Sequence, residues 1–346
     1  MDLYTSNPLT DPRWDCFVDR HPHSSALHQR GWLGALAQTY GYKPWVLTST
    51  APGQPLHDGV VFCRVSSWFT GTRLVSLPFA DHCDPLLGES QDAAGLLQYL
   101  KDQFDKEGYK YVELRPLLDL KPLKHGLSES ASYIFHTLDL RPELKAIFGN
   151  LHKDSVQRRI RRAEKEGISL ARGNDDVLLD EFYRLLLITR RRHGLFPQPR
   201  KWFENLIRYM GDKVCIWVAR KGTNPVAAIL TLRHKSSLIY KYGCSDGTFH
   251  RLGAIPFLFW RLIEESKARG LETIDFGRSD LHNRGLIQFK DRLGTSKRVL
   301  TYCRYSRAST LAVESTWTWK AMQGVLPVLP NSVVSMAGGV LYRHMG

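Results

Sequence analysis

The segment from Asp275 to Gly294 combines the side-chain types that catalytic loops carry. It follows a strand-like stretch and combines an acid, basic residues, an amide and glycines, among them Asp275, Arg278, Asn283 and Lys290. Loops at strand ends are preferred positions for catalysis, so we predict a loop that holds a reacting group. A single lysine is otherwise an ordinary solvated residue, and Lys290 is predicted to be either that or a functional cation.

A second polar segment lies in the N-terminal half, with the sequence Leu77-Pro78-Phe79-Ala80-Asp81-His82-Cys83-Asp84-Pro85-Leu86. Adjacent side chains in an extended chain cannot all face one ion, and no distant ligand pair accompanies them, so we predict no metal site. The segment is expected either to line a substrate cleft, with His82 or Asp84 accepting a proton, or to form a plain turn.

Two basic stretches could hold anions. Residues 155–165 have a helical composition with four arginines and one lysine, which favours a phosphate or nucleic-acid surface. The alternative is a solvated linker helix with an Arg162–Glu166 pair. Arg190, Arg191 and His193 end another helix, where they could clamp an anion or simply complement the helix dipole.

The loop Arg251-Leu252-Gly253-Ala254 separates a predicted strand from a predicted helix. Free amides at a helix N-terminus form an anion site, although a simple cap explains the same residues. The net charge of +14 independently favours an anionic partner, which could be nucleic acid, a phosphorylated substrate or an anionic membrane surface.

The remaining composition bounds the class of protein. None of the six cysteines has CxxC spacing, which argues against a disulfide framework or a zinc cluster and fits a reducing compartment. The N-terminus lacks the features of a signal peptide, and no apolar run is long enough to span a membrane. We therefore expect a cytoplasmic protein.

These residues are positioned by a unit that occurs twice. Trp32, eight residues, then Gly41-x-Lys43 returns as Trp202, eight residues, then Gly211-x-Lys213. Each copy predicts the order α-α-β-β-β-α-β-β, a mixed α+β sheet. We predict an N-terminal domain at 1–150, a C-terminal domain at 151–307 and a tail at 308–346, in which Trp317 and Trp319 either meet a membrane surface or cover the core.

Three features resemble one known family. They are the duplicated unit, the basic helix between the copies, and the run from Asp275-Phe276-Gly277-Arg278 to Phe289-Lys290 and Gly294. Together they resemble the FemAB family of acyl- and aminoacyltransferases, which is built from two tandem GNAT domains. Residues 77–86 and the ending 341–346 are similar to FemAB-like proteins of exopolysaccharide and exosortase gene clusters.

The resemblance implies two GNAT domains and transfer of an acyl or aminoacyl group to an amine of a cell-envelope or exopolysaccharide component. The donor would be acyl-CoA or aminoacyl-tRNA, with no permanently bound cofactor, and the acceptor a glycan or peptidoglycan precursor. Lys290 would stabilise the acyl oxyanion. Candidate bases are Asp81, His82 and Asp275; expected donor contacts are Tyr242, Arg251, Gly253, Ala254, Arg278 and Phe289; expected substrate contacts are Arg190, Arg191, His193, Asp84 and Asn283.

Two departures and one competing class accompany this expectation. Leu36 stands where the muropeptide-modifying branch commonly has a phosphate-binding lysine, and Arg251 to Ala254 is only a fragment of the GNAT pyrophosphate loop. The competing class is a non-catalytic tandem GNAT-like module that binds RNA or an anionic glycan. A third hypothesis is that the tail attaches the protein to the surface of the inner membrane.

Overall fold

The computed structural model describes residues 2–68, 70–88, 93–118, 126–306 and 331–345. The described residues form two compact units. Unit 1 comprises residues up to 133 together with 300–306 and 339–345, and unit 2 comprises 134–299 and 331–338. The two units thus share strands and a helix, whereas the sequence predicts consecutive ranges.

Unit 1 contains a mixed sheet with helices. Its elements are β1 (Tyr4–Ser6), α1 (Arg13–Arg20), α2 (Arg30–Tyr40), β2 (Lys43–Thr48), β3 (Val60–Ser67), β4 (Gly71–Val75), α3 (Ala93–Glu107), β5 (Val112–Leu114) and the start of β6 (Ser128–Asp139). The final part of β12 (Ser296–Tyr305) pairs antiparallel with β5, and the sheet order is β1-β2-β3-β4-β5-β12.

Unit 2 begins with the second half of β6. It continues with α4 (Leu144–Asn150), α5 (Arg158–Lys165), β7 (Ile168–Gly173), α6 (Asp176–Arg192), α7 (Arg200–Met210), β8 (Val214–Lys221), β9 (Asn224–His234), β10 (Ser237–Ser245), α8 (Ala254–Ala268), β11 (Thr273–Asp280) and α9 (Arg284–Asp291). Its sheet order is β6-β11-β10-β9-β8-β7. The last helix, α10 (Asn331–Met345), has residues in both units.

The predicted repeat is visible in the strand register. In unit 1, β4 and β5 are parallel, with Leu74 opposite Val112. In unit 2, β10 and β11 are parallel, with Leu238 opposite Ile274, the positions that the sequence repeat matches. A helix connects the strands of each pair, as parallel strands require. Each unit therefore contains one β-α-β crossover within a mixed sheet, as the sequence predicts.

The matching tryptophans anchor the two cores. Trp32 on α2 and Trp202 on α7 are each fully buried, since an apolar stripe at helical spacing turns inward. Each of these helices ends at the matching glycine, and both Gly41 and Gly211 have positive φ, which a residue without Cβ adopts readily. The conserved spacing in the two copies thus encodes a helix and its stop.

The prediction of a loop across 275–294 is wrong. Strand β11 continues to Asp280, and α9 occupies Arg284–Asp291, so Lys290 lies on a helix. The glycines and polar side chains of this segment suggested a loop, but the Asn283 side chain accepts the Leu286 amide and starts a helix. Strands β1 and β7 and helix α4 are further elements that the sequence patterns do not predict.

Candidate functional site

Lys290 is buried at the end of strand β11, with an exposed fraction of only 2%. Its Nζ donates hydrogen bonds of 3.0 Å to the backbone carbonyls of Gly277 and of Arg278. The Thr295 hydroxyl in turn donates to the Lys290 carbonyl. A buried ammonium is costly unless its protons are accepted, and these two carbonyls fix it in one position. The site therefore contains a rigid cation at a strand end.

His136 on β6 lies next to this cation. It is fully buried, and its Nε2 is 3.3 Å from Asp291 Oδ1. Burial lowers the pKa of His136, and the Lys290 charge lowers it further, while Asp291 opposes the shift. His136 is therefore neutral near pH 7, and the positive field of Lys290 extends to the neighbouring strand.

Strands β10 and β11 pair over a short stretch only. Their parallel register covers Ser237 to Ile239, although β10 runs on to Ser245. A bulge between Tyr240 and Tyr242 interrupts the pairing of β10 with β9. The parallel pairing of β10 with β11 therefore ends before the bulge.

Aromatic rings surround the bulge. Tyr240 packs edge-on against Phe259. The Tyr240 hydroxyl occupies the space that a Cβ at position 243 would need, so only glycine fits there. Tyr242 is buried and its hydroxyl accepts a 2.8 Å hydrogen bond from Trp202 Nε1. Tyr242, predicted to contact the donor, therefore has a structural contact with α7.

Asp275 lies on β11 two residues before a glycine with positive φ. Its Oδ1 accepts the Gly277 amide at 2.6 Å, which holds the backbone bend whose carbonyl binds Lys290. The half-buried Asp275 side chain thereby stabilises the bend. The predicted base and the predicted cation of the second copy are thus linked through one backbone turn.

A basic cluster surrounds the 3₁₀ turn Gly247–Leu252 that follows β10. Arg192 Nη1 contacts His250 Nε2 at 3.3 Å and the Ser245 carbonyl at 3.1 Å, and Arg159 Nη1 donates to the His250 carbonyl at 3.1 Å. Because arginine only donates, Nε2 is the accepting nitrogen, and the Ser245 hydroxyl also donates to it at 2.9 Å.

The arginines of this cluster affect the pKa values of two neighbouring histidines. Burial lowers the pKa of His250, and Arg192 and Arg159 lower it further against the opposing effect of Asp246. The pKa of His193 is lowered by burial and then by Arg192 and Arg190. Burial is the largest cause of both shifts, and the nearby arginines add the positive charge that a phosphate would require.

The structure gives Gly253 a packing role that corrects the simple anion-loop expectation. Gly253 has φ +80°, and a Cβ there would lie 2.3 Å from the Arg159 carbonyl oxygen. The backbone at the start of α5 therefore lies against this glycine. At the N-terminus of α8, Pro256 has no amide hydrogen, so only the amides of Ala254 and Ile255 remain for a ligand.

The basic helix α5 is part of the core of unit 2 rather than a solvated linker. Ile160 and Ala163 are buried and belong to the cluster that includes α8. The outer face keeps exposed cations, some of which have acidic partners: Arg158 with Asp154, Arg162 with Glu166, and Glu164 with Arg261. The predicted Arg162–Glu166 pair is present, at 3.9 Å.

The other predicted contacts of unit 2 are dispersed. Arg190 donates to Gln198 Oε1, and Gly194 has the positive φ of a helix end. The rings of Phe289 and Phe259 pack at a tilted angle with their centroids 5.7 Å apart, and the Asn283 side chain caps α9. Arg191 and Arg251 lie near the ends of α6 and of the 3₁₀ turn, respectively.

In unit 1, the segment after β4 is strained. Leu77 and Phe79 both have positive φ, at 70° and 58°, a conformation that costs a bulky side chain about 1–2 kcal/mol. Arg115 Nη1 holds the segment by donating to the Leu77 carbonyl at 2.9 Å and to the Ala80 carbonyl at 3.2 Å, and Tyr302 donates to the Asp81 carbonyl at 2.6 Å. Strain of this kind concentrates at functional sites.

A buried ion cluster supports Arg115. Glu113, 3% exposed, accepts Arg115 at 2.9 Å on one oxygen and Arg304 at 2.6 Å on the other. Burial opposes ionisation of Glu113, but the two guanidinium groups outweigh it and hold its pKa below the ordinary value. Glu113 occupies in unit 1 the register position that Asp275 has in unit 2.

Residues 81–84, which the sequence predicts to line a substrate cleft or to form a turn, make several hydrogen bonds to the surrounding backbone. Asp84 Oδ1 accepts the amides of Leu117 and Leu118 at 2.6 and 2.8 Å, which ties this segment to the residues after β5. His82 is buried, and Asp81 is half-buried.

Cys83 and His28 contact each other but do not form a nucleophilic pair. The Ser25 amide donates to His28 Nδ1, so Nε2 carries the hydrogen and donates to the Asp84 carbonyl at 2.9 Å. Burial lowers the pKa of His28 to about 4 and raises that of Cys83 well above its ordinary value. Both groups are neutral near pH 7, and His28 cannot take the thiol proton.

Sequence reasoning did not single out His136, Arg192, Glu113 or Arg115 as members of a site. Arg192 falls within a basic motif, which is a usable signal. Glu113 meets Arg304 only through the pairing of β5 with β12, and His136 on β6 meets Asp291 on α9, far away in the sequence. Among the described residues, no group of histidine, cysteine and acidic side chains is arranged to hold a metal. None of the described helices is long and apolar enough to cross a membrane.

Residues 151–290 match the acetyltransferase (GNAT) domain family. Over 100 residues, the chain is 25% identical to the UDP-N-acetylmuramoylpentapeptide-lysine N(6)-alanyltransferase of Weissella viridescens, a match that covers 28% of this chain and 30% of that protein. The comparison thus spans less than a third of this relative's length.

Solved structures resemble nearly the whole chain. FemX matches with a TM-score of 0.70 and 14% identity, covering 88% of this chain and 97% of FemX. The C-terminal domain of a putative lysylphosphatidylglycerol synthetase from Agrobacterium fabrum matches at 0.61 and 16%, covering 93% and 98%. A tandem GNAT protein from the clavulanic acid biosynthesis pathway matches at 0.54 and 12%, covering 88% and 98%. The chain has a GNAT-like fold, with mixed sheets flanked by helices.

Proposed function

We propose that this protein is an N-acyl- or aminoacyltransferase of the FemAB type, which forms an amide on an amine of a cell-envelope component. The observation that carries the proposal is the buried Lys290 ammonium, fixed by two carbonyls at the end of β11. The GNAT match over 151–290 and the relative that is named as an alanyltransferase support the same reaction class.

The proposed reaction needs stabilisation of one developing charge. The acceptor amine attacks the donor carbonyl carbon, a C–N bond forms, and the carbonyl electrons move onto oxygen. The fixed Lys290 cation stabilises that oxyanion, a contribution typically worth about 3–4 kcal/mol for one donor. When the oxyanion collapses, the C–O or C–S bond to the donor breaks, and the alcohol or thiol leaves.

Asp275 is the proposed proton acceptor for the attacking amine. It belongs to the same unit as Lys290 and contacts the turn that binds Lys290. Its counterpart in unit 1, Glu113, is neutralised by two arginines and has a lowered pKa, so it cannot serve as a base near pH 7. This contrast favours unit 2 as the reacting unit.

We propose aminoacyl-tRNA as the donor. Arg159, Arg192 and His250 form a basic cluster beside the β10–α8 turn, and the outer face of α5 extends it with exposed arginines. A surface of this length suits several consecutive phosphates, which bind largely through counterion release. Acyl-CoA is the second candidate, favoured by the GNAT match, although Gly253 is closed by the Arg159 carbonyl and offers few amides.

The acceptor is proposed to be an amine on a peptidoglycan precursor or exopolysaccharide. The strained segment from Leu77 to Asp81, held by Arg115, is a preorganised surface in unit 1 for that component. Leu36 is fully buried on α2, so this position supplies no cation for a nucleotide phosphate. This favours an acceptor without a nucleotide carrier. An enzyme that acts on such a substrate could do so as a peripheral protein at the inner membrane.

The decisive experiment is a transfer assay with purified protein. Charged tRNA and acyl-CoAs are each incubated with amine-bearing peptidoglycan and glycan precursors, and amide products are identified by mass spectrometry. We expect an amide product with at least one donor. Replacing Lys290 with Met should abolish formation of this product, whereas replacing the exposed Lys297 with Met should not.

Salt dependence separates the donors. If tRNA is the donor, its affinity falls steeply with salt, and it falls further when Arg159 and Arg192 are replaced by Ala. Binding of tRNA or anionic glycan with no amide formed from any donor would instead support the non-catalytic module and contradict the proposed enzyme.

A further inference from the structure

Trp68 is the most exposed large apolar side chain of the described residues. It stands at the tip of the β3–β4 hairpin with an exposed fraction of 81%. Tryptophan is costly to leave in water at a protein tip, because its ring is large and mostly apolar. An isolated exposed residue needs no explanation, so its surroundings decide whether it has a role.

The C-terminal part of α10 lies beside this hairpin. The Trp68 ring faces the His344 ring edge-on at 6.4 Å, and the Arg73 guanidinium and the Thr70 hydroxyl both donate to the His344 carbonyl. On the other side, the Tyr42 hydroxyl donates to the Tyr342 carbonyl at 2.9 Å. The hairpin and the helix end are therefore tied together by hydrogen bonds.

Two exposed side chains of this part of α10 are apolar. Val340 is 61% exposed and Met345, in the last turn, is 43% exposed. Together with Trp68, they are the three large apolar side chains that are exposed in the described part of unit 1. Such a concentration marks an interaction surface.

Cations border this surface without acidic partners. Arg343 approaches Gly41, Lys43 follows on β2, and the Lys110 stem packs beside Gly71 in the hairpin. None of these three forms an ion pair among the residues that the structure describes. The pKa of His344 is lowered by burial and then by Arg343 and Arg73, so its ring is neutral near pH 7.

We propose that Trp68, Val340, Arg343 and Met345, with Lys43 and Lys110, form a docking surface for an anionic lipid bilayer. Apolar tips among unpaired cations match the boundary between acyl chains and anionic headgroups, where tryptophan is preferred. The net charge of +14 adds long-range attraction. The α10 helix has 15 residues, fewer than the roughly 20 that a membrane-spanning helix needs.

This surface goes beyond the proposed transfer chemistry and does not depend on it. A second copy of the chain would bury the apolar tips equally well, but it would bring the same unpaired cations face to face. Like charges at an interface disfavour self-association, whereas an anionic bilayer neutralises them. The charge therefore selects the membrane over the homodimer.

The test is co-sedimentation of the full chain with sucrose-loaded vesicles. One set contains phosphatidylcholine alone, and the other contains phosphatidylcholine mixed with phosphatidylglycerol. The variants are Trp68→Ser and Arg343→Glu, and their matched controls are Tyr209→Ser and Arg141→Glu, exposed residues of unit 2. Circular dichroism confirms that each variant folds, which is expected because the replaced side chains are exposed.

Binding is expected only with phosphatidylglycerol vesicles. Trp68→Ser should weaken it roughly tenfold and Arg343→Glu about fivefold or more, with both controls unchanged. The proposal is overturned if the wild-type protein stays in the supernatant, or if it binds but neither substitution weakens the binding. It is also overturned if Trp68→Ser instead dissolves a dimer seen by sedimentation velocity.

Discussion

Replacing Glu113 with Gln is expected to destabilise unit 1 strongly. The carboxylate is 4% exposed and is the shared partner of Arg115 and Arg304, whose side chains are 14% and 17% exposed. Removing one member of a buried ion pair costs about 3–5 kcal/mol, since the other charges stay buried without compensation. Some solvent reaches both arginines, so we expect the lower end, about 3 kcal/mol.

The measurement is urea unfolding followed by tryptophan fluorescence and circular dichroism. For a unit of this size, the expected loss corresponds to roughly 6 to 12 °C in Tm. The matched control is Glu107→Gln, which breaks an exposed pair with Arg64 at 3.3 Å, a contact worth about 0–1 kcal/mol.

The pH dependence gives a second check on the same cluster. The pKa of Glu113 is lower in the folded protein than in the unfolded chain, so its ionisation stabilises the fold above the unfolded pKa. That stability disappears as the pH falls through the folded pKa. The gap between wild type and Glu113→Gln should therefore shrink on acidification. A gap below 1 kcal/mol at pH 7, or one that does not change with pH, would refute the reasoning.

Two further predictions test contacts of unit 2. Gly253→Ala should destabilise the protein by more than about 2 kcal/mol, because the new Cβ meets the Arg159 carbonyl, whereas Gly222→Ala, with positive φ but open space, should cost only about 1 kcal/mol in chemical denaturation. Arg192→Ala should raise the pKa of His250 in an NMR titration, and an unchanged or lower value would contradict the positive cluster.

The sequence predicts a helix correctly where a periodic apolar pattern is followed by a residue that ends the helix. The repeated Trp–Gly spacing predicts α2 and α7 correctly, because a buried ring and a capping glycine act within one helix. The repeat also matches the parallel register of the two crossovers, with Leu74 and Leu238 at equivalent positions. Helix geometry and strand alternation are local, so one sequence suffices for them.

The sites depend on contacts that local patterns do not encode. Glu113 and Arg304 are far apart in sequence and meet only through the pairing of β5 with β12. Gly253 looks like part of an anion loop, yet it meets the Arg159 backbone. Lys290 looks like a loop residue because polar side chains and glycines surround it, yet Asn283 starts a helix that carries it into the interior.

The central claim is that Lys290 stabilises charge on the reacting acyl group, and single-turnover kinetics on Lys290→Met test it most directly. With the donor identified in the transfer assay, we expect the rate of amide formation to fall about 10²- to 10³-fold, with donor affinity close to that of the Lys297→Met control. The Tm of Lys290→Met should be lower than that of the control, because two carbonyls lose their hydrogen-bond donor. A Lys290→Met protein that folds, binds donor and transfers at the wild-type rate would contradict the claim.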